Sequence, residues 1–577
     1  MKHSSNAHHL APSKCTKLTA ALMLAAGPAI LAFHAPIASA QALTAAGGAG
    51  NRPAIAVAAN RTPVVNIVAP NAAGVSHNKF TDYNVGAAGL VLNNSNKIVQ
   101  SQLAGRVAGN TQLGATPAKV ILNEVTGANA SNLNGATEIA GGAAHLIVAN
   151  PNGITANGAG FINATRATLT TGQARFDAVG NIASIDTTTG RIDIQGKGLN
   201  ARNVDQLDLI ARSIEVNAAV QARKLVGVAG VTRQNLGTDT TTIGSNIGLK
   251  GEGPAPVVAI DVSQLGSMYA DSIRLVGSAD GLGVNGNGAA RTSIVAPQQG
   301  MIGGTVNIGG KVVANSSAAV SGRKVNIAKT GVLSATGQNL SIAGDVRNEG
   351  LLSANTAMSV NGALDNRGGQ LTTGRQGTLA VSGEALNSDN GKMTIGSGTF
   401  SQSLENRSGE VRANGALKVA RDLDNFHGSI NTTGDIGIGG DLMNEESTVA
   451  TKGSLKVGGY AWNEGGRIFV GRDVSIKHLV GRGISMPSVT GDAPVAVAQD
   501  GFQFIPTGRP VTGAPVVVVD TRPAPVGTPT ARPVPPVVVD IRPAPVGTPA
   551  TRPVPPVVVD IRPMPPVSSK PVTTASR

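Results

Sequence analysis

Apolar and polar residues alternate with a period of two along much of this chain. In "RIDIQG" (191–196) and "SIEVNA" (213–218), Ile and Val take every second position, and small polar or charged residues fill the gaps. That period places successive side chains on opposite faces of an extended backbone, so these segments are predicted to be short strands bounded by Gly and Asn turns. Beyond Ala40 no long segment shows helical periodicity. The stretch "AHLIVANPNGITANGAGFINATRATLTTG" (144–172) is unusually dense in turns and almost uncharged: an apolar run, an Asn-Pro-Asn-Gly turn, a second small-residue turn, then Thr-rich strand material.

A short pattern recurs after Gly344. It reads "VRNEG", "LDNRG", "ALNSD", "LENRS", "LDNFH", "LMNEE" and "AWNEG", sharing Asn348, Asn366, Asn387, Asn406, Asn425, Asn444 and Asn463, with successive steps of 18, 21, 19, 19, 19 and 19 residues. A propeller blade needs about 40 residues, whereas a step near 19 suits one coil of a parallel β-solenoid. In such a coil the apolar residue two places before each Asn points inward and the Asn sits at a turn. Stacked coils about 4.8 Å apart bring the amides within bonding reach as an Asn ladder. Asn also tolerates a left-handed corner, and ordinary surface turns without a ladder are the simpler alternative. The fold class expected is all-β, a right-handed parallel β-helix with a disordered Pro-rich C-terminal tail.

Composition supports that picture. Apolar residues make up 41% of the chain, enough to bury a core, while 75 glycines and 13 aromatics imply a thin interior. The first forty residues read as a secretory signal peptide: Lys2, Lys14 and Lys17, an apolar run from about Leu18 to Phe33, and Ala38-Ser39-Ala40 before the cut. The run is short for a membrane anchor and is interrupted by Gly27 and Pro28, so no transmembrane segment is expected in the mature chain. The single cysteine, Cys15, lies in this leader, so the mature chain has no disulfide or thiolate chemistry. Losing the three lysines takes the net charge from +13 to +10. The charge is spread thinly; it favours anionic surfaces in general, but without a dense Lys/Arg run or stacking aromatics it points to no specific nucleic acid.

Six segments in order carry a resemblance: "VVNIVAPNAAGVSHNKFTDYNV" (64–85), "GLVLNNS" (89–95), "AKVILNEVTGANASNLNGATEIAG" (118–141), "IVANPNGI" (147–154), "GFINATRATLTTG" (160–172) and "SMYADSIRLVGSADGLGV" (267–284). Together they resemble the secretion domain of filamentous haemagglutinin-type exoproteins of the two-partner secretion family of Gram-negative bacteria. The later repeats are similar, more loosely, to that family's adhesive shaft. The resemblance implies recognition in the periplasm by the soluble domains of an outer-membrane β-barrel transporter and passage through it unfolded. It also implies an export role for two Asn-turn motifs. The second is present as Asn150, Pro151, Asn152, Gly153 and Ile154; the first, Asn-Pro-Asn-Leu in the family, falls at 110–113, where Asn110 and Leu113 are kept around Thr111-Gln112. From the residues alone, Pro151 and Gly153 suit a type I or II turn that caps a coil corner.

The domain organisation expected is a signal peptide at 1–40, a secretion domain at 41–290, a repeat shaft at 291–482 and a Pro-rich tail at 483–577. The tail holds 21 of the 32 prolines and repeats a 20-residue unit with Asp520, Asp540 and Asp560 in register with one another. It reads as a semi-rigid spacer or tether, or as a docking site for a partner that reads Pro-rich peptide. About 440 residues at roughly 20 per coil and 4.8 Å per coil give a rod of order 100 Å.

No catalytic residue, metal site or cofactor is expected. "GLGVNG" (281–286) fits G-x-G-x-x-G but opens no helix that would offer a pyrophosphate its dipole. His77 reads as a turn-stabilising hydrogen bonder. Polysaccharide-degrading β-helix enzymes line up carboxylates along one groove, whereas here Asp365, Glu405 and Asp424 share a slot that Met443 and Trp462 fill elsewhere. The function expected is a short secreted adhesin, released or retained at the cell surface, that binds host-cell or bacterial surface glycans or proteins. A contact toxin or haemolysin-type fragment is the alternative within the family, disfavoured because no folded domain is expected after the tail.

Overall fold

The computed structural model describes residues 43–256, 258–278, 304–481 and 484–486, with three short strands at 497–498, 504–506 and 516–518. The leader, the "GLGVNG" segment and nearly all of the Pro-rich tail lie outside the described residues. The chain divides at Thr521, and only the unit before it is described below.

Its architecture is a parallel β-solenoid with three strands per coil. One coil consists of Leu364–Arg367, Gln370–Thr373 and Thr378–Val381, and the next of Ala385–Ser388, Lys392–Ile395 and Ser397–Phe400. Each strand pairs in parallel with its counterpart one coil on, so three ladders run the length of the molecule. The alternation read from the sequence explains the register: Leu364, Leu371, Leu379 and Val381 are buried inside, while Asp365, Thr372 and Ala380 face outward. A one-residue slip on any ladder would turn this whole set out to water.

The first ladder is continuous from Ser131–Leu133 through Ile154–Ala156, Arg191–Ile194 and Ser213–Val216 to Ile260–Val262, then on through Thr305–Ile308 into the repeats. The irregular N-terminal half and the regular repeats therefore share one core. At the N-terminal end the solenoid's strands are covered by antiparallel pairing, Thr44–Ala46 on Val75–Asp82 and Ala54–Val57 on Pro63–Asn66. That covering removes an edge on which another chain could template.

A second layer is specific to the N-terminal half. Gln173–Phe176, Ile182–Thr187, Thr232–Asn235 and Thr241–Ile243 form an antiparallel sheet that lies against the outside of the solenoid. Ile185 and Leu236 of this layer pack with the outward-facing Leu122, Ile147, Ile210, Val226 and Val228. This explains why Ala144–Ala149 and Lys224–Gly230 read as nearly continuous apolar runs: they are buried on both faces. Helical structure among the described residues is one 3-10 turn, Gly244–Ile247, and no helix there is long and apolar enough to cross a membrane.

Candidate functional site

The turn at 150–154 links Ala144–Ala149 on one face to Ile154–Ala156 on the next. Asn150 is wholly buried, and its amide donates to Asn129 O and Ser131 Oγ of the preceding coil, both at 2.9 Å. Its Oδ1 accepts the Asn152 backbone N–H at 2.9 Å, and the Gly153 N–H closes the turn on Asn150 O at 3.1 Å. Gly153 stands at φ +117°, a conformation costly for any residue with a Cβ. Ile154 drops into the core. Only Pro151, half-buried, and Asn152, exposed, face outward, the latter donating to Gly127 O at 2.7 Å.

The segment at 110–113 repeats this construction. Asn110 is buried, its amide donates to Ile67 O at 2.8 Å and Asn93 O at 3.0 Å, and its Oδ1 accepts the Gln112 N–H at 2.9 Å. The Leu113 N–H points to Asn110 O at 3.4 Å, and the Leu113 side chain is in the core. Thr111-Gln112 in place of Pro-Asn therefore leaves the turn's bonding scheme intact. Gln112 adds a tie of its own, its Oε1 accepting the Ala54 N–H at 2.9 Å from the N-terminal hairpin. The two segments lie at different corners, Asn150 following Ala144–Ala149 and Asn110 preceding its parallel neighbour Val120–Val125, and no hydrogen bond among the described residues joins them.

Between the solenoid and the accessory sheet lies a buried polar cluster. Arg166 donates to Asp208 Oδ2 at 2.6 Å, Asp239 Oδ1 at 2.8 Å and Leu236 O at 3.1 Å. Asp208 also accepts from Thr168 Oγ1 and Gln206 Nε2, both at 2.7 Å. His145 Nε2 lies 2.8 Å from Thr168 Oγ1. Because the single hydroxyl proton of Thr168 goes to Asp208, His145 must be the donor in that contact. Burial, with the nearby Arg166 charge adding to it, pushes the His145 pKa down to about 4, so the ring is neutral at pH 7. A nucleophilic triad needs histidine to accept the hydroxyl proton; here the order is reversed and the group is sealed under a sheet, so it fastens rather than reacts.

His77 lies on the strand Val75–Asp82, not in a turn, and meets Glu124 Oε2 on the parallel neighbour at 2.7 Å. The His77 hydrogen bond, with the charges of His77 and Lys79, holds the Glu124 carboxyl below its ordinary range against the opposing effect of burial. Among the described residues no group of three or more His, Cys, Asp or Glu side chains is placed to hold a metal ion.

Residues 40–308 match the family model described as the TPS secretion domain. Curated relatives match as well: the 16S rRNA endonuclease CdiA of Enterobacter cloacae subsp. cloacae is 40% identical over 387 residues, 63% of this chain and 11% of that protein. This chain carries a two-partner secretion domain. The tRNA nuclease CdiA of Yersinia mollaretii is 47% identical over 236 residues, 41% of this chain and 8% of its own length. A solved filamentous hemagglutinin secretion domain aligns with 62% of this chain and 99% of its own, at 28% identity and a TM-score of 0.42. The chain thus spans about a tenth of the length of these curated relatives.

Both Asn turns, the accessory sheet and the buried cluster fall inside the matched two-partner secretion domain. The cluster has no local signature in the sequence, because its hydrogen bonds join residues up to 73 positions apart. The available signal was Asp208, a charged residue amid the apolar Leu207, Leu209, Ile210 and Ala211 of the strand Gln206–Ala211.

Beyond the secretion domain, the repeat asparagines lie within their strands with side chains pointing inward, not at the turn itself, and take the third position of four-residue strands such as Leu364–Arg367, Leu404–Arg407 and Leu423–Phe426. Asn348, Asn366, Asn387, Asn406, Asn425, Asn444 and Asn463 form a single file in which each Nδ2 donates to the next Oδ1 at 2.6 to 2.8 Å. The amides also reach backbone carbonyls at the corner, such as Asn406 to Gly409 O at 3.0 Å. The corner just after the ladder carries a left-handed residue: Gly368, Ser408, His427, Glu446 or Gly465. The next residue is glycine in most coils, and a Cβ at Gly409 or Gly428 would collide with the amides of two successive ladder asparagines.

Proposed function

We propose that this exoprotein is exported through a dedicated outer-membrane β-barrel transporter and acts outside the cell as an adhesin. Its solenoid shaft binds host or bacterial surface structures, and the product is released or retained at the surface. The observation that carries the reading is the match of residues 40–308 to the secretion domain, with a buried-Asn turn at each of the two motif positions. A solenoid adds one coil at a time, each burying apolar area on the last. Such growth lets a chain emerging unfolded from a pore fold without chaperone or ATP and resist sliding back.

The turn geometry separates recognition from folding. Asn152→Ala removes an exposed group, while Asn150→Ala removes a buried one. Expression with and without the transporter, with blotting of cells and medium, tests export; extracellular yield that ignores the transporter refutes it. With the transporter present, Asn152→Ala is expected to lower extracellular yield at least fivefold with its melting temperature within about 2 °C of the parent. Normal yield from that variant would remove the exposed part of the motif from recognition. Binding of the purified product to epithelial and bacterial cells tests the adhesive part.

A second reading is favoured by the names of the relatives, several of which are nucleases or toxins. In it the secretion domain and shaft carry a contact toxin. Growth inhibition of neighbouring cells by a strain expressing the chain, and lost on its deletion, would favour this over adhesion.

A further inference from the structure

Large side chains are rare in this protein, and in the shaft the core is built almost wholly from Leu, Ile, Val, Met and Ala, with Phe400 the buried aromatic. Four other shaft aromatics, Phe426, Tyr460, Trp462 and Phe469, are exposed at 36 to 44% and fall on the last coils. The fold does not need rings there. Tyr460 and Trp462 are stacked, with centroids 5.0 Å apart and planes 21° apart, and His478 of the next coil stacks on Tyr460 at 4.5 Å and 22°. The indole is therefore held in a fixed orientation.

Trp462 forms one wall of an open groove of about 670 Å³, lined also by Glu464, Gly465, Gly466, Arg467, Val480 and Gly481. That volume is in the range of small-ligand sites, roughly 300 to 1,000 Å³. In two earlier coils the two outward positions of this strand hold an ion pair, Asp365 with Arg367 at 3.5 Å and Glu405 with Arg407 at 3.0 Å. Here the same two positions hold Trp462, in register with Met443 one coil earlier, and Glu464. Neither Glu464 nor Arg467 has an ion-pair partner within 4 Å among the described residues.

We infer that this groove is a saccharide subsite for an uncharged pyranose. The glycine corner lets a ring approach the backbone, the indole face meets the apolar C–H face of a sugar, and a carboxylate and a guanidinium can each bind adjacent hydroxyls through two hydrogen bonds. An aliphatic ligand would bury both charges unpaired. Anionic glycans and nucleic acid would meet Glu464 and the exposed Glu445 and Glu446. The inference rests on the adhesin reading and names the ligand class for it.

Trp462 is the only tryptophan in the chain, so its emission reports on this groove. The full secreted chain is titrated with cellotriose, maltotriose and triacetylchitotriose, and separately with sialyllactose and a heparin oligosaccharide. A saturable emission change is expected with at least one neutral trisaccharide, weakened tenfold or more in Glu464→Ala and Arg467→Ala and unchanged in Phe426→Ala. No response to any neutral sugar, a response only to the anionic ones, or full affinity in Glu464→Ala overturns the inference. Cell binding is measured beside it. Cell adhesion without saturable binding of any neutral sugar overturns the groove and leaves the adhesin reading standing. Saturable sugar binding without cell adhesion supports the groove and refutes the adhesin.

Discussion

Replacing Asn406 by alanine probes the strength of the Asn file directly. Asn406 is fully buried; its amide donates to Asn425 Oδ1 at 2.7 Å and Gly409 O at 3.0 Å, and its Oδ1 accepts from Asn387 Nδ2 at 2.7 Å. In Asn406→Ala the Asn425 oxygen loses the donor from the coil before it. Asn387 Nδ2 keeps only its longer bond to Glu410 O at 3.3 Å. Each buried polar group left unpaired costs about 1–3 kcal/mol, so the change is expected to cost about 3–4 kcal/mol. At about 1.4 kcal/mol per tenfold, that raises local opening of the flanking coils by 10²–10³. Because solenoid coils interact mainly with their neighbours, the loss should be local. Hydrogen exchange read by mass spectrometry on the full secreted chain is the assay. Peptides from 385–445 should exchange at least a hundredfold faster, while those from 191–216 stay unchanged. The isosteric Asn406→Asp puts an acceptor against the Asn425 oxygen and is expected to be worse than alanine at pH 7. It should improve on acidification, when the carboxyl regains a proton to donate. Acceleration below tenfold in the alanine variant, or spread evenly along the chain, would refute the ladder as a source of cohesion.

Three further outcomes follow from the same geometry. His145 titrates at about 4 in the folded protein and near 6.5 when unfolded, so its contribution to stability is complete above pH 6.5 and lost as pH falls toward 4; His145→Gln should flatten that part of a pH series of urea midpoints. Arg166→Met leaves Asp208 buried without its cation and should destabilise the secretion domain by about 3–5 kcal/mol, whereas Arg166→Met with Asp208→Leu should recover most of it; equal midpoints for the single and double variants would argue against a charge-based lock. Gly409→Ala drives a methyl into two ladder amides and should lower the melting temperature of the shaft by several degrees, while Gly437→Ala, where a Cβ meets nothing within 4 Å, should not.

The coil was readable because its information is local. Leu, Asn and Gly recur at fixed offsets within one turn of the solenoid, and every turn restates them, as in "LDNRGG" and "LDNFHG". Alternation in "RIDIQG" likewise marked which side chains face the core, since period two is a property of the strand itself. The asparagines were placed one step wrong, at the turn instead of inside the strand, because Asn favours turns by propensity and the pattern alone does not tell a buried, laddered amide from an exposed one. His77 shows the same limit: its partner Glu124 lies 47 residues away.

What came only from folding in three dimensions is the treatment of the solenoid's outer surface. The run "AHLIVA" is equally compatible with a doubly buried strand and with other apolar segments, and nothing local states that Ile185 and Leu236 will cover it. The lock of Arg166, Asp208 and Asp239, and the groove that sets Trp462 beside Val480 of the following coil, draw their members from separate windings. Repetition along the chain dictates the inward faces, because each coil must present the same shape to the next. The outward faces are free of that constraint, so their chemistry is decided by whichever distant residues the stacking brings alongside.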